Sequence, residues 1–180
     1  MKLQTIIKIL VLVPLFSFAQ QSENYLELMN NLVPIDSSKI ETSFNNGKPK
    51  YIGTTTYYEY MDKEYAFLTG KHIRYYKNGS RTEGVYNSWG TVLTNKYFDK
   101  NGNLISDSKT ITLDTSAKNL QEFEDSNKHI TFVIESNDYK YSSDLNKWYL
   151  YLESEHTNGK KSGTWIYYLP NGELKKEKKQ

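Results

Sequence analysis

The sequence predicts an all-β fold, an antiparallel meander of successive β-hairpin repeats, with a short N-terminal helix behind a signal peptide. Three observations carry this. Asn-Gly pairs recur at 46–47, 78–79, 101–102, 158–159 and 171–172, and Asn-Gly between apolar runs is the strongest short-range hairpin signal. The stretches between those pairs are rich in Tyr, Thr, Ile and Trp, residues that suit a pleated surface. Hydrophobic content is only 37%, yet aromatic content is 14%, with 16 tyrosines. Rings that bury their bodies and keep hydroxyls wet fit a thin sheet better than a thick aliphatic core.

Residues 1–19 read as a signal peptide. Lys2 and Lys8 precede or enter the apolar run Ile9 to Phe16, and Ser17-Phe18-Ala19 supplies small residues at the positions a signal peptidase inspects. That run is too short to span a bilayer comfortably, and Pro14 interrupts it. The expected product starts near Gln20 and is exported, to the periplasm or the cell exterior, without being an integral membrane protein. Removing 1–19 takes away two lysines and no acid, so the formal net charge falls from +2 to 0. A balanced chain has no general attraction to nucleic acid. The absence of cysteine excludes disulfides, thiol catalysis and thiolate metal sites.

Residues 20–43 are expected to be an N-terminal helical segment. Tyr25, Leu28, Met29 and Leu32 fall at i, i+3, i+4 and i+7, Ser22 stands ahead of them as a cap, and Pro34 ends the pattern. The β-hairpin repeat domain follows over 44–177, with type I′ turns expected at the Asn-Gly pairs. Three segments run from glycine to a tyrosine pair: Gly53 to Tyr57-Tyr58, Gly70 to Tyr75-Tyr76, and Gly163 to Tyr167-Tyr168. A strand glycine leaves a gap that a cross-strand ring can cover, so aromatic and glycine are expected to meet.

The stretch NGKKSGTWIYYLPNGELKKE, and more loosely GKHIRYYKNGSRTEGVYNSWGTVLTNKYFDKNGNLI, resembles bacterial MORN-like repeats, the variant found in YwqK-type antitoxin proteins. The resemblance covers 158–177 well, 70–105 moderately and 44–60 weakly. It implies hairpin-repeat architecture and, by analogy, an antitoxin-like or periplasmic immunity role. The repeat fades over the divergent central part, 106–147, where Thr131–Ile134 reads as a strand and 116–127 as either a short helix or a polar loop; Trp148–Leu152 just beyond it alternates as a half-buried strand should. Residues 178–180 read as a frayed basic tail.

No catalytic, metal or cofactor site is expected. Glu153-Ser154-Glu155-His156 offers two carboxylates and an imidazole, but further convergent ligands are missing locally. Asp99-Lys-Asn101-Gly-Asn103 fails as a calcium loop because its glycine is fourth rather than sixth and Thr110 stands at position twelve. Nucleophile elbows, zinc helices and phosphate loops do not occur in it. The residues singled out for ligand binding are Tyr58, Tyr76, Trp148, Trp165 and Tyr167, as an exposed aromatic stripe. The functional expectation is a non-enzymatic interaction module for a protein or cell-envelope component, with glycan binding as the alternative. Open sheet edges also make a homodimer an expectation.

Overall fold

The computed structural model describes residues 20–124 and 128–180. The expected signal peptide, 1–19, lies outside them. The chain begins with β1 (Gln20–Gln21) and α1 (Glu23–Asn30) and then enters β2 (Val33–Ser43), β3 (Pro49–Tyr60), β4 (Lys63–Tyr75), β5 (Arg81–Tyr86), β6 (Val92–Phe98) and β7 (Leu104–Thr115). After α2 (Leu120–Glu124) come β8 (Ile130–Ser142), β9 (Lys147–Thr157), β10 (Lys160–Tyr168) and β11 (Leu174–Lys179). Strands β2 to β11 form one antiparallel sheet in strict chain order, and β1 adds a parallel pairing to β7. The divergent central part does not interrupt the sheet: β7 and β8 continue it, and α2 occupies part of the stretch left open as helix or loop.

Two boundaries move. The helical segment ends at Asn30, and 33–43 form strand β2. That strand is outermost and none of its side chains is buried, so it carries no apolar period to announce it. Pro34 is tolerated there because an edge strand can leave one side of its backbone unpaired. The lysines at 175, 176, 178 and 179 belong to edge strand β11. A lysine-rich edge resists pairing with another chain.

Four of the five Asn-Gly pairs do not form type I′ turns. At Phe44, Tyr76, Asp99 and Leu169 the backbone N–H binds the carbonyl four residues on, and the N–H of the glycine three residues on returns to the first carbonyl. Only the glycine takes positive φ, as at Gly79 with φ 88. These are type I turns closed by a glycine bulge, the usual three-residue hairpin connection. Asn158-Gly159 alone has both residues at positive φ, 50 and 75. The β5–β6 connection, Asn87 to Thr91, repeats the same hydrogen bonds without an Asn-Gly pair.

Register ties the sheet together. One unbroken row of paired residues runs Thr42, Tyr51, Arg74, Thr82, Tyr97, Ser106, Asp138, Leu152, Tyr167, Lys176, from β2 to β11. The next row, pointing the other way, holds Glu41, Glu83, Lys96, Asp107, Glu153 and Glu177 among its ten members. Two bulges recur at equivalent places. Gly70 and Gly163, with φ 70 and 60, each open a stretch in which three residues oppose one, and the residue two positions later is buried: His72 at 3% exposure and Trp165 at 8%.

The core lies where α1 and α2 meet the sheet. Ser22 caps α1 by accepting from the Tyr25 N–H, and Tyr25, Leu28, Met29 and Leu32 pack with Leu113, Leu120 and Phe123. Tyr25 is fully buried, its ring edge-on to Phe123 at 5.9 Å and its hydroxyl accepting from Asn87 Nδ2 at 2.6 Å. Burial pushes that phenol above its ordinary pKa. The cluster reaches Trp89, whose ring lies tilted against Phe67 with centroids 4.5 Å apart.

The expected meeting of ring and glycine occurs at Gly53. A Cβ there would lie 2.9 Å from His72 Cγ and closer still to Nδ1. The His72 ring therefore occupies the space a side chain would need. Substituting Gly53→Ala is expected to destabilise the fold by about 1–3 kcal/mol, the usual cost of overpacking, measured by urea unfolding. His72→Ala should cost less in the Gly53→Ala background than in the wild type; additive losses would contradict the contact.

Candidate functional site

The turns Phe44–Lys48 and Tyr76–Ser80 lie side by side at one end of β2 to β5, because β3 and β4 pair from Tyr51–Arg74 onward. Between them open two adjoining hollows of about 750 and 430 Å³, which share Phe44, Lys50, Tyr75, Tyr76 and Lys77. Lys48 joins the larger; Tyr51 and Arg74 join the smaller. The lining thus holds four aromatic rings and four cations. Among the described residues no carboxylate lines either hollow.

The floor of this cleft is built rather than incidental. Tyr51 donates its hydroxyl proton to His72 Nδ1 at 2.5 Å, while His72 Nε2–H donates to the Thr69 carbonyl at 2.9 Å. The Thr69 carbonyl can only accept, which puts a proton on His72 Nε2, and the bond at Nδ1 holds the Tyr51 ring in place. Burial raises the Tyr51 pKa. Arg74 lies over the Tyr51 ring at 5.5 Å, and Tyr76 meets Tyr97 edge-on at 6.5 Å. The cleft can therefore offer flat apolar faces and fixed positive charge together, a combination suited to a ligand with both apolar faces and anionic groups.

The five residues singled out from sequence do not converge. Tyr58 is 5% exposed and belongs to the core. Tyr76, 41% exposed, stands in the cleft. Trp148 is exposed beside Tyr141. Trp165 is buried, its indole N–H donating to the Glu155 carbonyl at 3.2 Å and its ring edge-on to His156. Tyr167 is half-buried, with Lys176 Nζ 4.3 Å from its ring centre. Trp165 and Tyr167 share a side of β10, as alternation requires, and Ile166 points the other way opposite Glu177.

Sequence reasoning missed Phe44, Tyr51, Tyr75, Arg74, Lys48, Lys50 and Lys77. One signal was present: an aromatic precedes the turn glycine by three residues at both Phe44 and Tyr76, with a lysine near each. Nothing in the sequence says that those two turns become neighbours.

The other motifs resolve as structure. Glu153 and Glu155 point to one side of β9 and His156 to the other, where it packs on Trp165. Glu153 accepts from Tyr168 and Glu155 from Ser162, so the carboxylates and imidazole do not meet. The Asp99 carboxylate accepts from the Asn101 and Asn103 backbone N–H groups and from Asn103 Nδ2, all at 2.8 Å. Asn103 is the main reason its pKa lies below the usual range. No group of three or more metal-ligating side chains forms among the described residues. No described helix is long and apolar enough to cross a membrane.

No family model, curated protein or solved structure matches this chain.

On the acidic side, Asp107 accepts from Asn137 Nδ2 and from the Tyr139 hydroxyl, each at 3.0 Å. Burial, then the bond to Asp107, pushes the Tyr139 pKa from 10.0 to about 12. A raised phenol pKa means stability that is present below pH 10 and lost as pH climbs through about 12. Stability measured from pH 9 upward should thus fall more steeply in the wild type than in Tyr139→Phe. Parallel curves would contradict the coupling.

Proposed function

We propose that this protein is an exported, non-enzymatic β-repeat module that binds an anionic glycan through the cleft between its first and third hairpin turns. The observation that carries this is the lining: Phe44, Tyr51, Tyr75 and Tyr76 beside Lys48, Lys50, Arg74 and Lys77, with no described carboxylate. Sugar rings present C–H faces to aromatic side chains, and acidic sugars add carboxylates that pair with guanidinium and ammonium groups. Each exposed ion pair contributes only about 0.2–1 kcal/mol. Several such pairs beside fixed rings are needed for useful affinity, and the cleft assembles them from paired strands at Lys50, Tyr51, Arg74 and Tyr75 and from two hydrogen-bonded turns at Phe44, Lys48, Tyr76 and Lys77.

The expected signal peptide supports an extracytoplasmic setting in which such polymers occur. Its cleavage point falls just before β1, so removal of 1–19 leaves every described contact intact. The resemblance to MORN-like repeats over 158–177 suggests an architecture rather than a ligand.

Calorimetric titration with an oligogalacturonate is expected to give binding that weakens with salt as screening shortens. A neutral cello-oligosaccharide should give none. Tyr76→Ala should weaken binding by about tenfold, equivalent to about 1.4 kcal/mol, and Lys50→Ala by about two- to fivefold, the range of an exposed ion pair. Unchanged affinity in both variants, or equal affinity for the neutral sugar, contradicts the assignment. Tighter binding of an oligoglutamate peptide replaces the glycan by a protein partner.

A further inference from the structure

The last four strands sort their carboxylates by side, while lysines stand on both: Lys160 and Lys179 alternate with Lys161 and Lys178 and share the side of the glutamates. In β8 to β11, Glu135, Glu153, Glu155 and Glu177 lie on one side of the sheet. Lys140, Lys161, Lys176 and Lys178 lie on the other, placed there by pairing with Tyr149, His156, Tyr167 and Trp165. Within these strands Asp138 is the one carboxylate on the lysine side, where it faces Lys140 and His156, and burial raises its pKa.

Three of these lysines are not free-swinging. Lys140 Nζ sits 3.5 Å from the Tyr151 ring centre, Lys161 Nζ 4.5 Å from that of Trp165, and Lys176 Nζ 4.3 Å from that of Tyr167. Tyr151 and Tyr167 also brace each other edge-on at 5.8 Å. The rings thus serve as supports for ammonium groups, which lowers the entropy lost when an anion is engaged. The aromatic block of β10 belongs to this surface through the charges it holds up.

We infer that the lysine side of β8 to β11 is a second anion-binding surface, so that the protein is bivalent for the anionic glycan assigned to the cleft. The inference rests on that reading for its ligand class. The two sites are six strand steps apart between Arg74 and Tyr167, roughly 29 Å at the usual strand spacing. The intervening strands rotate by the ordinary sheet twist, so the sites look in different directions. Two differently directed sites on one rigid sheet hold two polymer segments together instead of tightening on one short chain.

The test is calorimetric titration of the protein with a short oligogalacturonate, read for stoichiometry. Two oligomers per chain are expected in the wild type. One is expected in the Lys140→Gln/Lys161→Gln/Lys176→Gln variant, which keeps charge-free side chains of moderate length and an unaltered circular dichroism spectrum. One is also expected in Lys50→Gln/Arg74→Gln. A wild-type stoichiometry of one, abolished by the cleft variant and untouched by the lysine variant, overturns the second surface and leaves the cleft standing. Loss of all binding in the lysine variant alone overturns the cleft and bivalency together. With a long polygalacturonate, the wild type should raise light scattering by cross-linking and either variant should not. Preferential capture of anionic-lipid vesicles by the lysine side would replace the glycan at this surface.

Discussion

Strict alternation along register-locked strands is the constraint on which the rest of this protein depends. Ten strands in chain order, each paired to the next, carry a side chain's direction from one edge of the sheet to the other without a crossover. A residue's chemistry is then set by its row. Tyr51, Arg74, Tyr97, Tyr167 and Lys176 share one row, while Glu83, Asp107, Glu153 and Glu177 share the opposed one. A single-residue slip would exchange the two. The bulges opened by Gly70 and Gly163 are where the chain adjusts this pattern, and each drives a ring, His72 or Trp165, against the preceding strand.

Those bulges connect packing to function. His72 fills the space over Gly53 and, through its two hydrogen bonds, holds the Tyr51 ring in the cleft floor. Trp165, its counterpart, anchors β10 to β9 and lies beneath Lys161. In both cases a buried ring at the bulge supports a surface group of a proposed binding site. The helical cap on the sheet, centred on Tyr25, Leu113 and Phe123, supplies the main apolar core and leaves the cleft and the lysine side uncovered.

Much of the fold was legible in the sequence because hairpin turns are local. Asn-Gly pairs placed five of the nine chain reversals between β2 and β11, the spacing of Tyr25, Leu28 and Met29 placed α1, and Ser22 placed its start. The turn type was misread at four positions because Asn-Gly serves a type I turn with a glycine bulge as well as a type I′ turn, and loop length decides between them. Strand β2 was missed because an outermost strand need bury little. The site was less legible. Alternation separated Trp165 from Ile166 correctly, but the aromatic stripe dissolved because Tyr58 faces the core, Trp165 is sealed by its neighbours and Trp148 stands apart. The cleft depends on two turns, 44–48 and 76–80, whose proximity is a property of strand pairing and not of any local pattern.

The central claim is that ligand engages the cleft and the lysine side of the last four strands and spares their acidic side. Ring-selective NMR of the tyrosines during titration with an oligogalacturonate tests it most directly, because tyrosines mark both sides. The account predicts that Tyr51, Tyr76, Tyr151 and Tyr167 shift, since they line the cleft or carry the lysines. Tyr139 and Tyr168, bound to Asp107 and Glu153 on the acidic side, should stay in place. Shifts confined to Tyr139 and Tyr168 would contradict it.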